Sequence, residues 1–330
     1  MKISVVVCTY NRCQSLSAAL EDLAVQVMPD SNAWEIVVVD NNSSDQTRKV
    51  VEEVSEKWPG RFRYVFESRQ GLSQARNRGI QESQGELIAF TDDDVQVEPD
   101  WLRNLTSNLF NGWIGAGGRI VPTWKKPLPS WLSPHDFHSM EPFVAFDAGA
   151  VPRRLEKPPF GANMAFRREV FHKYGGFRTD LGRIGNDLIG SEDTEFGRRL
   201  LAAGERLRYE PSAVVYHPVV EDRIQKSYFL SWWFDHGRAD VREWPPGTNI
   251  LGIPRRALTF FKFLGIRLPL KIMRWAVTIN PLQRFRLKCW VWMTAGQMVE
   301  IRRQWMGVWP EAIDREESPR SDNHRNPLHL

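Results

Sequence analysis

The sequence predicts an α/β fold: a Rossmann-like, mostly parallel central sheet in one domain, followed by amphipathic C-terminal helices. Three observations predict it. Strand-length apolar runs alternate with helix-length segments four times within about a hundred residues, as βαβ units do. Two of those runs lead into aspartates, at the strand ends where open α/β sheets bind ligands. The charge is also unevenly spread. From Leu251 to Pro310 there are 11 Lys and Arg against one acid, Glu300, so a +10 segment is joined to a remainder of −6 within the net +4.

Taken in order, Ile3 to Cys8 is a continuous β-branched run and reads as a buried central strand. Thr9-Tyr10-Asn11 is a loop, and Ser15 is placed to cap a helix running to about Val27. Glu35 to Val39 is a second strand. The polar cluster Asp40 to Asp45 then turns into a helix ending near Trp58. Arg61 to Phe66 is a weaker third strand, and Gly71-Leu72-Ser73 opens the next helix. Leu87 to Phe90 is a buried strand leading to Asp92, Asp93 and Asp94, with a helix starting near Pro99.

Residues 122–159 hold eight prolines with Trp124, Trp131, His135 and His138, a composition that suits a lid or binding loop better than a helix. Phe160 to Phe166 reads as a strand with a glycine at its start, and a helix follows from Arg168. Ser191 to Phe196 opens another helix reaching about Gly204. Arg206 to Tyr209 and Ala213 to Tyr216 are two short strands, the second leading to His217-Pro218. Beyond Leu251, six basic residues between Arg255 and Arg274 fall within about half of a helical wheel. Pro269 should kink that helix. A second helix spans about Leu282 to Trp305. Such basic, Trp-bearing helices lie in membrane interfaces or pack as an ordinary pair, and amphipathicity alone does not separate the two. The polar tail from Glu311 reads as disordered.

The composition excludes several classes. Three cysteines, Cys8, Cys13 and Cys289, make no disulfide framework, which points to a reducing, cytoplasmic setting. The apolar run behind Lys2 is too short for a signal peptide, and no run reaches the ~18 residues of a spanning helix. A G-x-G-x-x-G after the first strand and a G-x-x-x-x-G-K-[ST] are both missing, which removes the main support for a dinucleotide oxidoreductase or a P-loop NTPase.

The aspartate triplet is the strongest chemical signal. Alternate side chains of an extended chain share a face, so Asp92 and Asp94 can enter one site. Two hard oxygen ligands suit Mg²⁺ or Mn²⁺ bound together with a phosphate. The competing use of such residues is a helix cap, but three adjacent carboxylates after a buried strand favour a site.

Five segments together resemble the family-2 glycosyltransferases of the A-type fold. They are Val5 to Arg12 (VVVCTYNR), Val37 to Ser43 (VVVDNNS), Gly71 to Asn77 (GLSQARN), Phe90 to Asp94 (FTDDD) and Gly190 to Phe196 (GSEDTEF). They cover about residues 1–220 and leave everything beyond about 250 outside. The resemblance implies a catalytic domain over 1–225, with a nucleotide-binding half to about 110 and an acceptor-binding half from 111. Residues 226–310 form the basic helical segment and 311–330 the tail. It implies an inverting transfer from a nucleoside-diphosphate sugar, with UDP the commonest donor, to a glycan or lipid-linked acceptor.

The same resemblance gives roles by position. Asp92 and Asp94 would hold Mn²⁺ or Mg²⁺, joined by His217, and Asp92 could instead touch the ribose. Thr9, Tyr10 and Asp40 would meet the base. Asp40 has the rival use of a helix cap, and Arg76, expected at the base or the diphosphate, has that of a solvated helix arginine. Asp193 of the Glu192-Asp193 pair would be the catalytic base, since a neighbouring carboxylate raises proton affinity, although Ser191 and Thr194 also suit a capping box. Gly161, Ala162 and Asn163 would admit the acceptor, and Arg223 is a further candidate for the diphosphate. Three other readings compete: a sugar nucleotidyltransferase, a non-catalytic sugar-nucleotide binder, and a nucleic-acid binder acting through the +10 segment. The paired carboxylates speak against the second, and no nucleic acid is expected as a partner.

Overall fold

A computed structural model describes residues 2–29, 34–185, 187–245, 249–250 and 253–307. The expected tail from Glu311 lies outside the described residues.

The first half is built as βαβ units. Strand β1 (Ile3–Thr9) is followed by helix α1 (Cys13–Ala24), β2 (Trp34–Asp40), α2 (Thr47–Lys57), β3 (Phe62–Phe66), α3 (Leu72–Glu82) and β4 (Leu87–Asp92). These four strands are parallel in the order β3-β2-β1-β4. β1 lies inside the sheet because both its faces are apolar. Val5 and Val7 enter one core beneath α1 and α2, and Val6 enters the other beneath α3. Each fully buried valine contributes about 1.5–3 kcal/mol relative to exposure. Ser15 lies inside α1, which starts at Cys13, so it does not cap that helix. Asp45 serves both neighbouring helices instead, accepting the N–H of Cys13 at 3.0 Å and that of Thr47 at 3.0 Å.

The second half reverses direction. After the two-residue strand β5 (Gln96–Val97) come α4 (Trp101–Thr106), β6 (Gly115–Thr123), the short helix α5 (Phe137–Met140), β7 (Arg153–Arg154), β8 (Met164–Arg167), α6 (Glu169–Tyr174), α7 (Glu192–Ala202) and β9 (Leu207–Pro218). β8 runs antiparallel between β4 and β6, and β6 pairs with β9 in parallel. β6 is glycine-rich because its neighbours come close. A Cβ on Gly117 would stand 2.4 Å from Pro159, and one on Gly118 would stand 2.2 Å from the Ala213 carbonyl. The two short strands expected at 206–209 and 213–216 are one strand, β9, whose register against β6 slips between Gly118 and Arg119. The strand expected from Phe160 begins only at Met164.

Three long elements close the chain: α8 (Lys226–Glu243), the run α9 (Arg255–Lys262) and α10 (Leu268–Val277) joined by a π turn at Phe263–Arg267, and α11 (Pro281–Trp305). The π turn precedes Pro269, the place where a helix must accommodate a residue without an N–H. The sequence reading includes α8 in the helical segment 226–310 without giving the helix bounds of its own. Phe229 meets Phe285 near one end of α8 and Arg242 meets Glu300 near the other, so α8 and α11 run in the same direction. Their backbones touch: a Cβ on Gly237 would stand 2.1 Å from the Met293 carbonyl, and one on Gly296 would meet the Phe234 carbonyl at 1.9 Å. The segment 122–159 is not a free lid. Leu132, Met140 and Phe143 share a core with Phe229, Trp233 and Cys289, and Trp131 stacks edge-on with Phe285.

Candidate active site

Parallel register brings the polar strand ends together. Thr9 lies opposite Asp40 and Cys8 opposite Asp92, so β1, β2 and β4 release their last residues at one edge of the sheet. β8 runs the other way and therefore starts at that edge, which places Gly161, Ala162 and Asn163 beside the end of β4. Thr91 Oγ1 donates to the Ala162 carbonyl there at 2.9 Å.

Asp92, Asp94 and His217 converge: two carboxylate oxygens and one imidazole nitrogen lie within 4.8 Å of one another. His217 reaches this point through β5. Gln96 pairs with Tyr216, so the next residue of β9 stands beside the aspartate turn. Its Nε2 is 3.6 Å from Asp94 Oδ1. Burial lowers the pKa of His217 and the charge of Asp94 only partly opposes this, so the ring is neutral with a lone pair to give. The donor set, two hard oxygens and a neutral imidazole, fits Mn²⁺ or Mg²⁺.

Arginines surround the triad. Arg12, just ahead of α1, donates to Asp93 Oδ1 at 3.0 Å and to Asp94 Oδ2 at 2.8 Å, and Arg223 stands 3.6 Å from Asp94. Burial would raise the pKa of Asp94, but His217, Arg12, Arg223 and Arg183 together hold it below the ordinary carboxylate value. Asp93 is pushed up to about 7, by burial first and by its two neighbouring aspartates, against the pull of Arg12. Arg12 and Arg183 were not singled out from the sequence; the available signal was an arginine closing the loop after β1. Cys8 is a half-buried thiol pushed up to about 12, mainly by desolvation, and so holds its proton.

The first two loops are stitched together. Asn11 Oδ1 accepts the Ser44 N–H at 2.8 Å, and the Asn11 N–H donates to Ser43 Oγ at 2.9 Å. Asp40 is buried; it accepts the Ser43 N–H at 2.9 Å and the Tyr64 hydroxyl at 2.7 Å. The cap of α2 is Asp45, so the helix-cap use of Asp40 does not apply. Thr9 is buried and Tyr10 half-buried at the rim.

Across the edge, α3 meets α7. Arg76 is not a solvated helix arginine: it is buried, its guanidinium hydrogen-bonds Glu192, and it lies 3.6 Å from Asp92. In this structure it braces α3 against α7 beside the aspartate turn, which excludes the solvated alternative. Glu192 is pushed up to about 7 by burial first and by Asp193 next, with Arg76 opposing. Asp193 is half-buried and accepts the Gly161 N–H at 2.6 Å and the Thr194 N–H at 2.6 Å. Ser191 has a left-handed backbone, φ 73°, and makes no side-chain cap, so the capping box is not formed. A Cβ on Gly161 would stand 2.1 Å from Arg76 Nη2, so a larger residue there would displace that guanidinium. Ala162 is buried beside it. Asn163 is fully buried, donates to the carbonyls of Arg119 and Ala213, and accepts from Trp101 Nε1 at 2.9 Å, so its amide binds the sheet together behind the site.

Comparison with known proteins places these features in a lineage. A family profile described as Glycosyl transferase family 2 matches residues 4–175; Asp193 and His217 lie beyond that stretch. The chain is 29% identical over 242 residues to a glucosyl-dolichyl phosphate glucuronosyltransferase of Haloferax volcanii, covering 71% of this chain and 75% of that one. It is 30% identical over 244 residues to the succinoglycan biosynthesis protein ExoM of Rhizobium meliloti, covering 73% and 75%. Its fold resembles that of the mannosyltransferase PcManGT from Pyrobaculum calidifontis, solved with GDP-Man and Mn²⁺, with a TM-score of 0.55 and 19% identity over 93% of this chain and 75% of that one.

Proposed function

The chain belongs to glycosyl transferase family 2, and we propose that it moves a sugar, with inversion, from a nucleoside-diphosphate donor to a hydroxyl of a glycan or lipid-linked acceptor. The observation that carries this reading is the convergence of Asp92, Asp94 and His217 among Arg12, Arg183 and Arg223, at the same strand ends as Asp193. The lipid-linked or polysaccharide class of acceptor is supported by the relatives, one named for a dolichyl phosphate substrate and one for succinoglycan biosynthesis.

In this reading the base lies in the cleft formed by Thr9, Tyr10 and Asp40, and the diphosphate lies over Asp92, Asp94 and His217. Those three residues would hold a divalent ion, which when bound would supply Lewis-acid neutralisation of the leaving diphosphate. Arg12, Arg183 and Arg223 add fixed positive charge on the same side. The Gly161 and Thr194 N–H groups fix the Asp193 carboxylate, which takes the proton from the acceptor hydroxyl as that oxygen bonds to the anomeric carbon and the bond to the diphosphate breaks. Arg76 positions this base through Glu192, its neighbour on α7.

The test is a thermal-shift panel of UDP, GDP, dTDP and CMP, each with and without Mn²⁺. Ligand that binds only the folded state raises the melting temperature by mass action. One diphosphate should raise it only with the metal, and Asp94→Asn should remove that rise while the protein stays folded. No shift with any nucleotide, in either condition, overturns the reading.

A further inference from the structure

We propose that the outer face of the α9–α10 run docks on the surface of an anionic lipid bilayer. Among the described residues, 22 large hydrophobic side chains are exposed, and 14 of them lie between Leu258 and Met306. They are not scattered. Leu258, Phe261 and Leu264 follow at one-turn spacing, and Leu270, Met273 and Val277 repeat it after the π turn. The row continues into the turn before α11, where Val277 is 71% and Ile279 92% exposed. The inner face of the same run is satisfied: Ala257 and Phe263 are buried, and Lys271 donates to Thr294 Oγ1 at 2.6 Å on α11. The apolar row therefore remains over after the helices have packed.

Charge identifies the occupant. Between residues 253 and 307 the only acid is Glu300, which is fully buried and paired with Arg238 and Arg242 of α8. Every exposed charge on this part of the described surface is Lys or Arg, with Arg255, Lys262, Arg267 and Arg274 on the α9–α10 run itself. An apolar row flanked by cations and no exposed anions complements a surface of acyl chains beneath anionic headgroups. Trp275 on α10 and Trp292 on α11 have Arg284 and Lys288 over their rings, and Trp with Lys or Arg is the pairing enriched at membrane–water boundaries. No described helix is long and apolar enough to cross a membrane, so the contact is in the plane of the interface. The surface is rigidly tied to the catalytic edge: Arg223, beside Asp94, precedes α8, and α8 packs on α11.

The experiment is flotation of the full chain with vesicles of phosphatidylcholine alone or with roughly a third phosphatidylglycerol. The protein should float with the anionic vesicles and not with the neutral ones. The triple variant Phe261→Asp, Leu270→Asp, Met273→Asp should lose binding at least ~10-fold while keeping its helical circular dichroism and its melting temperature. The full chain ignoring anionic vesicles, or the variant floating as well as the parent, overturns the proposal. So does a dimer in sedimentation that the triple variant dissolves while vesicles are ignored, because the face then belongs to a second copy. Steeply salt-dependent binding to an oligonucleotide without vesicle binding also overturns it.

Discussion

Replacing Arg76 with Met tests the electrostatics at the heart of the site. Arg76 and Glu192 are both nearly inaccessible, and the guanidinium also faces Asp92 at 3.6 Å. Removing one member of a buried ion pair costs about 3–5 kcal/mol when the survivor stays charged. Glu192 has an escape, because its pKa already lies at about 7, raised by burial foremost. Without Arg76 that pKa moves higher still, and at pH 7 the carboxyl takes up a proton. What remains is the lost hydrogen bonding to a charged group, about 1.5–3 kcal/mol. The cost is therefore expected to be ~2–3 kcal/mol at pH 7 and to grow by up to ~1.4 kcal/mol per pH unit above it, as the folded variant holds a proton that the unfolded chain has lost. The assay is urea unfolding of the parent, Arg76→Met, Glu192→Gln and the double variant at pH 6, 7 and 8.5. The double variant should lose the extra pH dependence and be more stable than the sum of the singles by at least ~1 kcal/mol. Additivity within about 0.5 kcal/mol at every pH, or an Arg76→Met penalty equal at pH 6 and 8.5, would refute the argument.

Three further outcomes are expected. Asp193→Asn should lower kcat by ~10²–10⁴-fold while the metal-dependent thermal shift with nucleotide is kept; turnover near that of the parent removes Asp193 as the base. Glu192, raised from 4.5 to about 7, is a carboxyl protonated longer in the folded state than in the unfolded one. Its contribution is full below pH 4.5 and is lost as pH rises through 7, up to about 3 kcal/mol, so Glu192→Gln should flatten the fall in melting temperature between pH 5 and 7.5 measured in chelator. Gly296→Ala places a Cβ against the Phe234 carbonyl and should destabilise the α8–α11 contact by ~1–3 kcal/mol in thermal unfolding, whereas an unchanged melting temperature means that the helices are not in backbone contact.

What the sequence made legible was set by local chemistry. β1, β2 and β4 stood out because a strand buried on both faces must be apolar throughout, and their ends stood out because aspartates there have no packing role. β6 was invisible because its identity as a strand depends on neighbours. Gly115, Gly117 and Gly118 read as a breaker locally, yet in the sheet they are the residues that let Phe166, Pro159 and Ala213 approach. The bounds of α8 within the expected helical segment were not legible for a related reason: its buried residues Phe229, Trp233 and Gly237 face α11, a helix more than forty positions away. The burial of Arg76 was not legible because a charge inside a helix reads as solvated until its counter-ion is known, and Glu192 lies 116 residues on. Asn163 looked like a ligand for want of any sign that three distant groups would claim its amide.

The placement of His217 shows how far a functional reading can depend on the least legible element. β5 is two residues long and carries no strand signal of its own. It forms because Val95 and Val97 are drawn into the core beside Leu102 and Leu105, which leaves Gln96 and Val97 extended against β9. That pairing fixes two things at once. It turns the chain away directly after Asp94, so Asp92 and Asp94 are held at a strand end and are not carried into a helix cap. Together with β6, whose Pro122 lies opposite His217, it also sets the register of β9 so that the residue after Tyr216 arrives beside those aspartates. A slip of one residue would put His217 on the opposite face of the strand and send Tyr216 or Pro218 in its place, neither of which offers a neutral imidazole. The third member of the triad is thus placed by strand pairing on both edges of β9.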